Sequence, residues 1–213
     1  MIQPKNRIYL ASRSLRRQEL LKQIGVNFEL LLLRETLPRG ADIDETPLPD
    51  ELPADYACRI ARTKTETGWA QLIQRKAPLL PVLAADTVVS LERRIFGKPE
   101  NSAHAEEMLT MLSGRTHQVL TAIAMAELDR VRVHLSITSV KFRDISKHEI
   151  RTYLANNETH DKAGAYAIQG AAAVFIANIS GSYSGVMGLP LFETAQLLKE
   201  FGVEILFADN KVS

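Results

Sequence analysis

Apolar residues along the chain occur in two patterns, as short continuous runs and as segments with helical spacing. Short runs bounded by turn residues are typical of strands, and the run over residues 81–90 is apolar enough for a strand buried on both faces. Two runs joined near Asp129 predict a β-hairpin. Strands are predicted over residues 8–11, 81–90, 119–127, 131–142, 166–168 and 174–179.

Helical spacing and capping residues predict the helices between these strands. Ser14 is placed to cap a first helix, which Gly25 ends. Ser146 followed by Glu149 forms a capping-box pattern that predicts the start of another helix. The stretch over residues 38–53, rich in proline and acidic residues, predicts an exposed loop. Helices are predicted over residues 15–24, 54–74, 102–112 and 191–201, and from Ser146 onward.

The alternation of strands and helices predicts an α/β or α+β protein with a central mixed sheet and helices outside. The chain has 213 residues, of which 46% are hydrophobic and 24% are charged. This length and composition allow a sizeable core in one or two globular domains.

Charge and cysteine content exclude several classes of function. The chain has 26 lysines and arginines against 25 acidic residues, so its balanced charge favours neither nucleic acid nor membrane as a partner. Cys58 is the only cysteine, which excludes an internal disulfide and predicts a cytoplasmic environment. The polar residues 1–6 do not resemble a signal peptide, and no apolar stretch is long enough to span a bilayer.

Because neither a P-loop nor a Gly-rich dinucleotide turn occurs, any phosphate site would have to use side chains.

Two arginines in the first turn of the first predicted helix indicate an anion site. Helix N-termini carry partial positive charge, so Arg16 and Arg17 are unfavourably placed unless an anion binds there. Arg17 also lies at the end of the apolar face of the helix. We expect these arginines, with Ser12 and Ser14, to bind a phosphate chain. A solvated basic turn is the alternative.

Lys64 and Lys98 could add positive charge to the same site. Lys64 continues an apolar helical face that includes Ala57 and Ala61, where it needs a partner or must extend to water. Lys98 precedes a proline, which favours an extended backbone that would direct its ammonium toward a cleft. An ordinary surface turn explains Lys98 equally well.

Asp86 is the only charged residue in the apolar run over residues 81–90. Burial of an unpaired carboxylate costs several kcal/mol, so Asp86 should be hydrogen-bonded, metal-bound or facing a cavity, unless a β-bulge accommodates it. Glu45, in the acidic loop, could bring a second carboxylate to the same place or could simply be solvated. Two carboxylates beside four cations outline a phosphoryl-transfer site with a divalent metal cation, Mg²⁺ or Mn²⁺.

Several stretches of the chain, in order, resemble the Maf family. The first places Ser12, Ser14, Arg16 and Arg17 ahead of a Glu-Leu-Leu sequence, as in the Maf signature. Leu15 stands where the family usually has proline, and leucine is acceptable at a first helical position. Further matches lie at residues 85–89, 97–99, 108–119, 161–170, 179–183 and 186–191.

The resemblance implies a two-lobed α/β fold with a cleft along a long mixed sheet, as one Maf-like domain over residues 1–213. It also implies a metal-assisted nucleoside triphosphate pyrophosphatase, commonly a homodimer, in a family with some inhibitors of septum formation. Glu45 is assigned by its spacing to Tyr56 and Lys64, because the preceding loop looks longer than usual. By position, Asp86 matches the proton acceptor, Glu45 and Asp86 match the metal site, and Arg16, Arg17, Lys64 and Lys98 match the phosphate contacts.

Arg16, Thr87 and Gln169 resemble the trio of the family branch that acts on dTTP and UTP. The branch that acts on 7-methyl-GTP has an acid at the position of Gln169. An amide can accept from N3–H of uracil or thymine and donate to a carbonyl oxygen, whereas a carboxylate only accepts. We therefore expect hydrolysis of dTTP and UTP. The alternatives are a pyrophosphatase for 7-methyl-GTP or another modified nucleotide, and a non-catalytic nucleotide-binding regulator of cell division.

Overall fold

A mixed β-sheet forms the centre of the computed structural model, which describes residues 7–33, 42–155 and 162–205. The strands are β1 (Arg7–Leu10), β2 (Asn27–Leu30), β3 (Val82–Leu91), β4 (Arg94–Phe96), β5 (Thr116–Glu127), β6 (Arg130–Phe142) and β7 (Ile176–Ser180). The helices are α1 (Leu15–Gln23), α2 (Pro53–Arg75), α3 (Ser102–Leu112), α4 (Lys147–Leu154), α5 (Tyr183–Met187) and α6 (Leu191–Glu200). Short 3₁₀ turns cover Ala163–Ala165 and Ala171–Phe175.

The strand order in the sheet is β2-β1-β3-β5-β6-β7. β1 is parallel to both β2 and β3, whereas the successive pairs β3–β5, β5–β6 and β6–β7 are antiparallel. β4 forms a hairpin with the end of β3. This arrangement confirms the predicted α/β class with a long mixed sheet, and β5 with β6 is the predicted hairpin.

One edge of β3 is open in its middle. On this edge β1 pairs only with Val82 and Leu83, and β4 pairs only with residues 89–91. The opposite edge pairs with β5 without interruption from Val82 to Ser90. Within the described residues, positions 84–88 therefore have no neighbouring strand on one side, and Asp86 lies at the centre of this gap.

Helix α2 covers one face of the sheet. Its first residue is Pro53, and proline suits this position because the N–H that it lacks would have no partner inside the helix. Ile60 and Ala61 are fully buried against Val88 and Leu120 of the sheet. Although α2 has 23 residues, no helix in the described ranges is both long and apolar enough to cross a membrane.

Two separate cores lie on the other face of the sheet. Helices α1 and α6 enclose Leu83 and Ala85, whereas α3 and α4 enclose Val89. Successive residues of a strand point to opposite faces, so Thr87 lies on this face between the two cores. The two cores correspond to the two lobes that the resemblance implies.

One of the predicted strands is wrong, and the bounds of another are shifted. Residues 166–168 form coil and a turn, directly after Gly164 and Ala165, which both take left-handed conformations. The left-handed pair redirects the chain away from the sheet, and Tyr166 packs in the core instead. The strand predicted over residues 174–179 begins only at Ile176, because a 3₁₀ turn precedes it.

The sequence also fails to predict three short elements and part of a loop. β2, β4 and α5 have five residues or fewer, which is too short for a periodic pattern to stand out. In the loop predicted over residues 38–53, positions 42–52 contain no helix or strand. Positions 38–41 of that loop, and Asp161 of the family match, lie outside the described residues.

Gly164 provides a test of how closely its turn packs on β3. Its φ is +68°, and an added Cβ would lie 2.8 Å from Cγ2 of Val89. We expect Gly164→Ala to lower the free energy of unfolding by about 2–4 kcal/mol, from the left-handed backbone and from overpacking. Gly202 is the control, because it has a φ of +69° and no atom within 4 Å of its Cβ position. Gly202→Ala should cost only about 1–2 kcal/mol. Urea denaturation measures both values, and equal losses would contradict the packing explanation.

Candidate active site

Asp86 lies on the face of β3 that α2 covers, and only 7% of the residue is exposed. Its Oδ1 accepts a hydrogen bond of 2.8 Å from Nζ of Lys64. β3 stays in register with β5 on both sides of Asp86, which excludes a β-bulge at this position. The acid in the apolar strand is therefore paired with a lysine from the helix above it.

The same lysine also contacts Glu45. Nζ of Lys64 lies 2.8 Å from Oε1 of Glu45, so one ammonium group bridges a strand carboxylate and a loop carboxylate. The side chain of Lys64 is 17% exposed, whereas that of Glu45 is 48% exposed. The positive charge of Lys64 is thus paired with two carboxylates inside the site, and the side chain does not extend to water.

Tyr56 and Arg59 of α2 hold the acidic loop beside the site. The Tyr56 hydroxyl donates to the carbonyl oxygen of Glu45 at 2.8 Å, and Arg59 donates to that of Thr46 at 3.1 Å. Burial raises the pKa of Tyr56 above its ordinary value, and the negative charges of Asp86 and Glu45 add to this shift. The hydroxyl therefore keeps its proton and remains a donor to the loop.

Arg17 of α1 braces the open edge of β3. Its Nε donates to the carbonyl oxygen of Gly188 at 2.8 Å. One terminal nitrogen donates to the carbonyl oxygen of Ala85 at 2.9 Å and to Oγ of Ser12 at 3.3 Å, and the other donates to Oγ1 of Thr87 at 3.1 Å. A guanidinium has five N–H groups, so these four bonds leave one donor for a ligand.

The charges in this cluster balance. Burial lowers the pKa of Arg17 from its ordinary value, while the negative charges of Asp86 and Glu45 oppose that shift. An arginine remains charged in proteins, so Arg17 and Lys64 offset the two carboxylates. Because the four groups sum to zero, a triphosphate would need further positive charge from other basic residues or from a metal.

Thr87 extends the network across the face between the two cores. Its Oγ1 lies 3.0 Å from Oγ1 of Thr121, which donates to the carbonyl oxygen of Gly185 at 2.8 Å. Since the Thr121 proton is used on Gly185, Thr87 donates to Thr121 while it accepts from Arg17. The Thr87 hydroxyl is left with a lone pair for a ligand and no proton to donate.

The first turn of α1 contains two more predicted residues. The Ser14 side chain caps the helix by accepting from the backbone N–H of Arg17 at 3.4 Å. The backbone N–H of Ser14 donates to Oγ of Ser12 at 3.2 Å. Arg16 is half-buried. In the described parts of the chain, Arg16 makes no hydrogen bond or ion pair, so it differs from Arg17, which makes four hydrogen bonds.

Lys98 and Gln169 are exposed residues in two loops that contact each other. Lys98 follows β4, and Gln169 follows the 3₁₀ turn that contains Gly164. The backbone N–H of Gly164 donates to the carbonyl oxygen of Gly97 at 3.0 Å, which joins the loops. Among residues 7–33, 42–155 and 162–205, neither Lys98 nor Gln169 forms a hydrogen bond or ion pair with the cluster around Asp86.

Several participants in the network are not predicted from the sequence, among them Thr121, Tyr56 and Gly188. Thr121 carries the same signal as Asp86, a polar residue in an otherwise apolar strand. Tyr56 acts through a hydroxyl directed at a distant loop, for which helical spacing gives no sign. Gly188 contributes a backbone carbonyl, and its φ of +113° and the 3.4 Å between its Cβ position and Nε of Arg17 explain the glycine.

The two carboxylates around Lys64 are suited as ligands for a hard cation, of the kind that also binds phosphate. No group of three or more His, Cys, Asp or Glu side chains that could hold a metal occurs among the described residues. Asp86 and Glu45 nevertheless place two carboxylate oxygens 2.8 Å from a single positive centre, Nζ of Lys64. Mg²⁺ commonly takes one or two carboxylates and completes its coordination with water and substrate phosphates. The two acids therefore fit such an ion.

Comparison with known proteins identifies relatives of the chain. Residues 7–201 match the model of a family described as Maf-like protein. The chain is 63% identical to the dTTP/UTP pyrophosphatase of Nitrosomonas europaea, over 94% of this chain and 97% of that protein. It is 64% identical to the dTTP/UTP pyrophosphatase of Nitrosospira multiformis, with 94% and 97% covered. A solved structure of the Staphylococcus aureus Ham1 protein aligns with a TM-score of 0.44 and 20% identity, over 65% of this chain and 72% of that one.

Arg17 and Arg16 provide a matched pair of substitutions. We expect Arg17→Lys to lower the free energy of unfolding by about 2–4 kcal/mol, because lysine keeps the charge but cannot reproduce the guanidinium bonds to three chain segments. Arg16→Lys should change it by no more than about 0.5 kcal/mol, since that side chain makes no such bonds to the residues that the structure describes. Urea denaturation tests the difference. Similar losses for the two variants would refute the bracing role of Arg17.

Proposed function

The chain belongs to the family of Maf-like proteins, and from this premise we propose that it hydrolyses nucleoside triphosphates, preferentially dTTP and UTP, to monophosphate and pyrophosphate. The observation that carries the proposal is the cluster of Asp86, Glu45 and Lys64 beside the open edge of β3. Relatives named dTTP/UTP pyrophosphatase support it, since they align with 94% of this chain.

In the proposed reaction, Asp86 acts as the general base. A water molecule attacks the α-phosphorus in line with the bond to the β-phosphate, and Asp86 accepts the proton of the water. A new oxygen–phosphorus bond forms to the α-phosphate, while the bond to the bridging oxygen breaks. That oxygen leaves with its electron pair as part of pyrophosphate. Before ligands bind, the Lys64 bond to Oδ1 holds the Asp86 carboxylate in position.

The phosphate chain would lie along the N-terminus of α1. The single free donor of Arg17 and the half-buried Arg16 are placed in the first turn of that helix, where backbone N–H groups also favour an anion. Ser14 lines the same turn as its cap. Lys64 and Lys98 would add charge from α2 and from the loop after β4.

A divalent cation completes the proposed site. Glu45 and Asp86 would hold Mg²⁺ or Mn²⁺, which supplies neutralisation of the phosphate charge and polarisation of a phosphoryl oxygen. The requirement for added positive charge follows from the balanced cluster, in which two cations already offset two carboxylates.

We assign the preference for thymine and uracil to Arg16, Thr87 and Gln169. With its proton committed to Thr121, Thr87 offers only an acceptor, and an acceptor matches an N–H of a base. Gln169 offers both an acceptor and a donor from an exposed turn. A homodimer, a cytoplasmic location and a single domain over residues 1–213 belong to the same proposal.

The direct test incubates the purified protein with UTP, dTTP, CTP, GTP and 7-methyl-GTP, each with Mg²⁺ or Mn²⁺, and identifies the products. Monophosphate with pyrophosphate from UTP and dTTP is the expected result. Diphosphate with orthophosphate would mean that a different bond breaks, and faster cleavage of 7-methyl-GTP would reject the assigned base preference. Binding of nucleotides without any hydrolysis would favour the non-catalytic regulator.

Asp86→Asn tests the general base. Asparagine keeps an oxygen that can accept from Lys64 but cannot take a proton from water, so we expect kcat for UTP to fall by about 10²–10⁴-fold. Circular dichroism and urea denaturation should still report a folded protein. A turnover rate within a few fold of the wild-type rate, as measured by pyrophosphate release, would remove Asp86 from this role.

Gln169→Glu tests the base preference. The substitution replaces the amide donor with an additional acceptor, so we expect kcat/KM for UTP and dTTP to decrease by about 10-fold or more. The ratio of kcat/KM for UTP to that for GTP should fall as well, because a carboxylate suits the paired donors of a guanine edge. Gln169→Asn is the conservative control, and an unchanged ratio in Gln169→Glu would reject the assignment.

A further inference from the structure

We propose that Lys64 is an internal counter-ion that occupies the cation position between Asp86 and Glu45, and that it must leave this position before a divalent cation binds. On leaving, the Lys64 side chain moves so that its ammonium group donates hydrogen bonds to a phosphate oxygen of the nucleotide. The inference rests on the proposed function for its ligands, although its first test needs no catalysis.

The geometry places Lys64 where a bridging cation would lie. Nζ is 2.8 Å from Oδ1 of Asp86 and 2.8 Å from Oε1 of Glu45, and an ammonium group has three N–H donors. Two donors are therefore used on the two carboxylates. A metal ion held by the same two oxygens would compete with Nζ for this position, because two cations this close together repel each other strongly.

Lysine is suited to such a change of position. Its charge sits at the end of a flexible four-carbon chain, and its three donors rotate freely, whereas an arginine fork requires a fixed planar partner. The neighbouring Arg17 shows the contrast, because its guanidinium is tied to carbonyl oxygens on Ala85 and Gly188. Among the described residues, Lys64 bonds to the carboxylates of Asp86 and Glu45, and a metal could take its place on both.

The exchange makes metal and nucleotide binding cooperative. Without nucleotide, a metal must break two charge-assisted hydrogen bonds and leave Lys64 partly buried, with a side chain that is 17% exposed. With nucleotide present, a phosphate oxygen receives the displaced ammonium group. Each ligand then raises the affinity for the other by the same factor, as linkage requires.

The first experiment measures Mn²⁺ binding without nucleotide, from the electron paramagnetic resonance signal of free Mn²⁺. We expect Lys64→Gln to bind Mn²⁺ about tenfold or more tightly than wild type, because the competing charge is gone. The control is Arg62→Gln, which removes one positive charge from the same helix at an exposed ion pair with Glu66. Its Mn²⁺ affinity should stay within about twofold of wild type.

The double variant Lys64→Gln with Asp86→Asn locates the ion. We expect the double variant to lose the tighter Mn²⁺ binding of Lys64→Gln, which would place the ion at the Asp86 carboxylate. Equal or weaker Mn²⁺ binding by Lys64→Gln than by wild type would overturn the proposal, and so would an equal gain in Arg62→Gln.

A second experiment repeats the titration with α,β-methylene-UTP, which cannot be cleaved at the bond in question. The analogue should raise the Mn²⁺ affinity of wild type by a larger factor than that of Lys64→Gln. Equal factors would contradict the movement of the Lys64 ammonium group to phosphate.

In a crystal of the wild-type complex, Nζ should lie near a phosphate oxygen and away from the carboxylates. Retention of both 2.8 Å contacts in that complex would overturn the proposal. If the analogue does not bind, the proposed function fails, and the experiment without nucleotide still decides the role of Lys64.

Discussion

The pairing of a buried carboxylate with a lysine is the interaction on which the site depends. Asp86 lies inside a strand that is otherwise apolar, and an unpaired charge there would cost several kcal/mol. Lys64 supplies the partner, from the same face of α2 that buries Ile60 and Ala61 against the sheet. The same ammonium group then brings Glu45 and the acidic loop to the sheet, with Tyr56 holding the loop backbone.

The open edge of β3 explains why chemistry is possible at this position. A strand in the interior of a sheet normally has both edges hydrogen-bonded, which leaves no room for a ligand. Here β1 separates from β3 after Leu83, and β4 joins only at Val89. Arg17 satisfies the carbonyl of Ala85 in the gap and fastens α1 to the edge, so the sheet is interrupted without leaving that carbonyl unpaired. The result is an opening in the edge of β3 that lies between the two cores.

The sequence predicts the residue types of the site better than their arrangement. Asp86, Lys64 and Arg17 can each be found because a charge interrupts an apolar pattern, and burial forces such a charge to have a partner. Which partner it has depends on how α1 and α2 pack on the sheet, and local spacing does not contain that information. Thr121 had the same signal as Asp86, whereas the carbonyl of Gly188 had none. Tyr166 was misassigned because a core residue after a left-handed turn has the same apolar character as a strand residue.

Arg17 and Lys64 divide two requirements that a phosphoryl-transfer site must meet together. The backbone around the reacting group has to be held rigidly, since catalysis depends on groups that are already in position. The charged side chains that face that group have to change partners when substrate and metal bind. A guanidinium with four protein bonds meets the first requirement, because releasing it would break contacts with β3, with Ser12 ahead of α1 and with the turn at Gly188 at once. An ammonium group whose bonds to the described residues are to two carboxylates meets the second, because each of these bonds can be exchanged for one to a phosphate oxygen. An arginine in place of Lys64 would hold the carboxylates too firmly, and a lysine in place of Arg17 would not hold the edge of β3.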